Sequence, residues 1–147
     1  MISQKTYVGA GIILVKRTAG EADRYLLLKG RGTGVWSFSK GHPERGDDGS
    51  QLRTAVRETF EETGYSAGLD YEIMGGSIRF GKRPYWVGIV CNYLPEVSLS
   101  FTEHSEAAWL TWAEITALKS NSDVRAWIKK SRLPNGEFMR LSSCLLL

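Results

Sequence analysis

Glu58, Glu61 and Glu62 fall in one short run, Arg57-Glu58-Thr59-Phe60-Glu61-Glu62-Thr63-Gly64-Tyr65, preceded by Lys40-Gly41-His42-Pro43-Glu44-Arg45-Gly46-Asp47. On an α-helix, positions i, i+3 and i+4 share one side, so the three carboxylates are expected to project together. Three like charges at close range repel unless a positive group sits among them. A hard divalent cation such as Mg²⁺ suits that role, because it takes carboxylate and carbonyl oxygens and shares its coordination sphere with substrate phosphates. A helix of this kind beside a glycine-bearing loop points to phosphoryl chemistry.

Glutamate-rich helix faces are often no more than solvated surface. Such a face tends to place Lys or Arg four residues after Glu, yet here Glu62 follows Glu58 and Tyr65 follows Glu61 at that offset. On the opposite side Leu52, Ala55, Val56, Thr59 and Phe60 recur at spacing suited to packing on a sheet. Ser50 is placed to cap the start of the helix and Gly64 to end it. The expected result is a short capped helix with acidic ligands on its outer side.

The rest of the chain reads as alternating strands and helices. Tyr7 to Lys16 and Tyr25 to Leu28 are apolar β-runs, and a loop bearing Gly30, Gly32 and Gly34 leads to Trp36-Ser37-Phe38. Tyr71 to Phe80 and Tyr85 to Leu94 read as strands joined by the basic turn Gly81-Lys82-Arg83-Pro84. Trp109 to Trp112 is another short apolar run, with helices expected from Ala113 to Leu118 and from Asp123 to Lys130. This order predicts an α/β fold with a mixed sheet covered on both faces. At 147 residues and 42% hydrophobic, the chain is expected to form a single domain spanning 1–147. Met1 to Tyr7 lacks an apolar stretch long enough for a signal peptide or a membrane span, so a cytoplasmic or nuclear location is expected, with no membrane partner. Cys91 and Cys144 match neither a zinc pattern nor a disulfide scaffold and are read as reduced thiols.

The segment from Gly41 to Tyr65 resembles the Nudix box: Gly, five residues, Glu, seven residues, then Arg-Glu-apolar-x-Glu-Glu-x-Gly-apolar. Arg57, Glu58, Glu61, Glu62 and Gly64 stand at that spacing. Three departures are visible. Asp47 replaces the first Glu, nine residues instead of seven separate it from Arg57, and Thr59 and Tyr65 occupy positions usually aliphatic. Asp48-Gly49 is read as a two-residue insertion, which leaves the role of Asp47 open. The resemblance implies a Nudix-type α/β/α sandwich and hydrolysis of a phosphoanhydride with Mg²⁺ or Mn²⁺. It also implies metal ligation by Glu58, Glu61, Glu62 and the carbonyl of Gly41, with one of the carboxylates acting as base. Glu61 is the first choice for loss of activity. Arg57 is expected to orient a box glutamate through a bidentate pair. Glu103 or Glu106 could add a carboxylate from a loop across the cleft.

Trp36-Ser37-Phe38-Ser39-Lys40-Gly41-His42 resembles the approach to the box in asymmetric diadenosine tetraphosphate hydrolases, with Phe38-Ser39 in place of paired prolines. Tyr85-Trp86-Val87 and Glu103-His104 followed by Trp109-Leu110 are similar to segments of the same subgroup. Tyr85 is thus a candidate platform for adenine, although Tyr85 and Trp86 alternate on a strand and one must face the core. Lys40 is the expected phosphate contact, and His42, His104 and Arg83 are further candidates for substrate binding. Trp109, Trp112 and Trp127 are read as core or sheet-covering residues. The leading expectation is cleavage of diadenosine tetraphosphate to ATP and AMP. The same approach to the box also resembles mRNA decapping enzymes, and cleansing of damaged nucleotides, cleavage of diphosphoinositol phosphates and a non-catalytic nucleotide sensor stay open. The net charge of +3 and pI near 8.9 suit an anionic substrate. Arg79, Lys82 and Arg83 form one basic cluster. Lys129, Lys130, Arg132 and Arg140 form a second, read as a solvated face, which would be the track of an RNA if one were bound.

Overall fold

In the computed structural model, residues 8–100 and 102–132 are described, so Tyr7, Arg140 and Cys144 lie outside the described residues. The strand β1 (Ala10–Lys16) occupies the middle of a mixed sheet. It runs parallel to β6 (Arg83–Val90) and antiparallel to β2 (Arg24–Gly30) and β4 (Ser39–Gly41). Its residues from Ala10 to Val15 are all buried, as a continuous apolar run predicts for a strand covered on both faces. Outward from β2 lie β3 (Trp36–Ser37) and β7 (His104–Thr111), and beyond β6 lies β5 (Tyr71–Phe80), joined to it by a tight turn.

Side-chain alternation splits the apolar residues into two cores. Ile13, Val15, Tyr25, Leu27, Phe38, Tyr85 and Val87 face α2 (Trp112–Thr116) and α3 (Ser122–Ser131). Trp127 of α3 fills the centre of this side, edge-on to Tyr25 at 4.8 Å and to Phe38 at 5.3 Å between ring centroids. Ile12, Leu14, Leu26 and Leu28 face α1 (Gln51–Thr63). Helices on both faces of a mixed sheet make the α/β/α sandwich expected from the sequence. Strand β7 begins at His104, well before the run at Trp109, because it pairs with β2 along almost its whole length. Strand β6 stops at Val90 rather than Leu94.

Helix α1 has the expected caps. Ser50 Oγ accepts from the Arg53 amide at 3.1 Å, and Gly64 closes the helix in the left-handed region at φ 83°. Of the five residues expected to face the sheet, its orientation buries Ala55 and Thr59 but turns Leu52 and Phe60 away. Leu52 is 38% exposed and Phe60 54% exposed, whereas Thr54, Ala55, Thr59, Glu62 and Thr63 are buried. The polar side is accommodated against the sheet because its groups find partners there. Ser39 Oγ donates to Glu62 Oε1 at 2.9 Å and stands 3.1 Å from Thr59 Oγ1, and the Lys40 amide donates to Glu62 Oε1 at 3.1 Å. Glu62 thus points toward β4 rather than outward, while Glu61 stays on the exposed side.

Candidate active site

Arg57 is the hub of the site, and its partners correct the expected pairing. The bidentate partner is Asp47, through Nε to Oδ1 and Nη2 to Oδ2, each at 3.0 Å, and not a glutamate. Asp47 is buried, and its Oδ2 also accepts from Thr54 Oγ1 at 2.6 Å and from the Glu44 amide at 2.9 Å. The Arg57 hydrogen bonds, helped by these donors, hold the Asp47 carboxyl well below the usual carboxylate range, while Asp47 in turn raises the pKa of Arg57. Asp47 therefore takes up the inner side of the Arg57 fork. The two extra residues are absorbed by a left-handed pair, Asp48 at φ 53° and Gly49 at φ 74°, which turns the chain into the Ser50 cap.

The outer nitrogen of Arg57, Nη1, reaches Glu61 Oε1 at 3.0 Å, Glu44 Oε2 at 3.2 Å and Glu58 Oε2 at 3.3 Å. Carboxylate oxygens of Glu44, Glu58 and Glu61 lie within 4.8 Å of one another, an all-oxygen donor set suited to a hard divalent cation. The expected trio of Glu58, Glu61 and Glu62 is thus divided. Glu44, which spacing along α1 could not reveal, joins the first two. The available signal was its place three residues before Asp47, the offset of a reciprocal cap. Glu62 lies deeper, 3% exposed, and burial drives its pKa up to about 8 despite its donors from Ser39 and Lys40. Burial likewise raises Glu58.

A folded-state pKa above the unfolded value means that the folded chain binds the Glu62 proton more tightly. Stability contributed by this group is then complete below about pH 4.5 and declines as pH rises to about 8. In chelator, urea denaturation across this window is expected to show falling stability, by at most about 1.4 kcal/mol per pH unit. Glu62→Gln should flatten the profile. An unchanged slope in that variant would show that Glu62 does not titrate there.

Glu58, Glu62, Glu103, Lys40, Gly41, His42 and His104 line one cleft of about 450 Å³. Gly41 is required where it stands, since a Cβ there would lie 1.9 Å from Cδ of Glu58. His42 is exposed, and its carbonyl accepts from Arg57 Nη2 at 2.7 Å. His104 is buried in the wall, with Nε2 3.8 Å from Glu62 Oε2 and a pKa lowered by burial. Glu103 is exposed at the rim, and Glu106 pairs instead with Lys29 at 3.2 Å.

Two expected substrate contacts are not in this cleft. Tyr85 is 1% exposed, its ring packs against Phe38 at 5.7 Å, and its hydroxyl donates to Asp123 Oδ2 at 2.5 Å. It faces the core and offers no free face to a base, because β6 must bury that side under α3. Arg83 pairs with the same Asp123 oxygen at 2.9 Å rather than reaching into the cleft. Tyr85→Phe is expected to lower stability by about 1.5–3 kcal/mol, through loss of a hydrogen bond to a buried carboxylate, and to leave the KM for nucleotide unchanged. A raised KM with unaltered stability would restore Tyr85 to the substrate site. Trp127 is fully buried, while Trp109 and Trp112 are partly exposed beneath Lys16 and Arg132, with the cations 4.4 and 5.4 Å from the ring centroids.

Comparison with known proteins agrees with this geometry. A bis(5′-nucleosyl)-tetraphosphatase (asymmetrical) of Sus scrofa is 34% identical over 126 residues, covering 80% of this chain and 84% of that protein. The mRNA-decapping protein g5R of African swine fever virus is 31% identical over 106 residues, covering 62% of this chain and 42% of that protein. Among solved structures, a C. elegans Ap4A hydrolase binary complex superposes with a TM-score of 0.68 at 22% identity, covering 83% of this chain and 93% of that one. The NUDIX domain family matches residues 5–130, and the chain belongs to the Nudix hydrolases.

Proposed function

We propose that this hydrolase cleaves dinucleoside polyphosphates asymmetrically, converting diadenosine tetraphosphate to ATP and AMP with Mg²⁺ or Mn²⁺. The observation that carries the reading is the placement of Glu58, which belongs both to the acidic trio and to the cleft lined by Lys40, His42 and His104. The substrate class is that of the asymmetrical tetraphosphatase relatives, which match 84% of their length. Glu44, Glu58 and Glu61 would hold the cation, with Glu103 and the Gly41 carbonyl available at the same cleft. A bound cation supplies charge neutralisation for phosphate oxygens and lowers the pKa of attached water. The protein supplies the rest. Arg57 orients the three carboxylates, and the desolvated Glu58 is the group best placed to accept a proton from water. Lys40 offers positive charge to the polyphosphate, and neutral His104 offers a ring N–H or a lone pair without added charge.

Decapping of RNA is the second reading, favoured by the viral relative and by the surface basic residues. For either substrate we propose a reducing cytosolic or nuclear location, in keeping with the free, exposed Cys91. The test is chromatographic product analysis after incubation with Mg²⁺ and, in parallel, diadenosine tetraphosphate and capped RNA. ATP plus AMP, lost in Glu61→Gln, is the expected result. Release of methylated guanosine diphosphate from RNA alone would establish decapping instead, and intact ligands in both arms would favour a sensor.

A further inference from the structure

The two basic clusters that are far apart in sequence meet in the fold. Lys130, in the last turn of α3, donates to the Arg79 carbonyl at 2.9 Å and lies 5.3 Å from the centroid of the Phe80 ring. Arg79 Nη1 donates to the Lys82 carbonyl at 2.9 Å, which ties the β5–β6 turn to itself beside the same helix. Lys129 is the exposed neighbour of Lys130, and Lys82 is exposed at the tip of the turn. Of this group, Arg83 takes the Asp123 carboxylate, whereas Arg79 and Lys130 bond to backbone carbonyls, which carry no net charge. Among the described residues neither is paired with a carboxylate, so their positive charge stays available to a partner.

The surface leads to the active-site cleft. Gly81 packs on Asp123, where an added Cβ would lie 2.5 Å from Oδ1, and Asp123 stands two residues from Asn121, which lines the cleft. From that end, α3 carries the surface about 10 Å to Lys130, at 1.5 Å per residue. A cationic strip that begins beside a nucleotide-sized cleft is complementary to a phosphodiester chain attached to the group bound in the cleft. An anionic membrane is a poorer fit, because the large apolar side chains under the strip, Phe80 and Trp127, are buried.

We propose that Arg79, Lys82, Lys129 and Lys130 form a docking strip for the phosphate backbone of single-stranded RNA whose 5′ end occupies the cleft. This goes beyond the dinucleotide reading and does not depend on it. The test measures binding, not turnover: fluorescence anisotropy of a labelled uridine 12-mer over a range of salt concentrations, with the whole chain and with Lys82→Glu/Lys129→Glu. These two side chains are exposed, so the variant should fold, which circular dichroism checks, and should keep the parental nucleotide hydrolysis. Binding by the parent should weaken with salt at a log–log slope of about −0.7 per phosphate neutralised. The variant should bind roughly tenfold or more weakly, with a flatter slope. A milder variant, Lys82→Gln/Lys129→Gln, should fall between the two and replaces the reversal if that fails to fold. No binding by the parent at low salt, or equal affinity in the folded variants, would overturn the proposal. So would co-sedimentation with phosphatidylserine vesicles in place of RNA binding.

Discussion

Replacing Arg57 by alanine should lower the unfolding free energy by about 3–5 kcal/mol, the cost of leaving a buried charge without its partner. The stranded charge is Asp47, whose side chain is 4% exposed and whose carboxylate keeps, among the described residues, the donors Thr54 Oγ1 and the Glu44 amide. The same change removes Nη1 from among Glu44, Glu58 and Glu61, so the acidic trio should repel and lose its arrangement. Lysine should rescue little, because an ammonium cannot bridge both Asp47 oxygens while reaching the trio. Urea denaturation of Arg57→Ala, Asp47→Ala and the double variant should show strong coupling. The double variant should be less destabilised than the sum of the single ones. Additive losses would show that Arg57 and Asp47 act independently.

Glu58→Gln should reduce kcat by about 10²- to 10⁴-fold, the range for loss of a positioned proton acceptor, and Glu61→Gln should lower kcat sharply through loss of a cation ligand, each with little change in melting temperature. For Glu61 the small effect on folding follows from its half-exposed side chain. Glu58 is more enclosed, at 13% side-chain exposure, and its charged form is disfavoured by burial, so the neutral amide should be tolerated by the fold. Turnover should be measured at saturating Mg²⁺ across a pH series. A parental kcat in either variant would remove that residue from the chemistry, and unfolding would assign it a structural role instead. If Glu58 is the base, its variant should also lose the acidic limb of the pH profile, whereas Glu61→Gln should lower the profile without changing its shape.

Much of the fold was legible because its elements carry strong local signals. The continuous apolar run of β1 predicts a central strand, Ser50 and Gly64 mark the two ends of α1, and the spacing of Glu58 and Glu61 brings both into the acidic trio. Other features depended on packing between distant segments. Which of the two cores Tyr85 joins and which Trp86 packs against is a two-way choice along a strand. It was settled by Asp123 of α3, which accepts the Tyr85 hydroxyl. The rotation of α1 could not be read from its apolar residues, because the donors that accommodate its polar face, Ser39 Oγ and the Lys40 amide, belong to β4.

The sequence alone therefore determined the order of the main strands and helices, though not the short β4, together with the sandwich and the acidic helix, since helix and strand periodicity and caps act over a few neighbouring residues. Only the tertiary structure decided that Asp47 is the bidentate partner of Arg57, that Glu44 completes the trio and that Glu62 is buried with a raised pKa. Desolvation and ion pairing depend on which segments meet in space, and one-dimensional spacing does not carry that information.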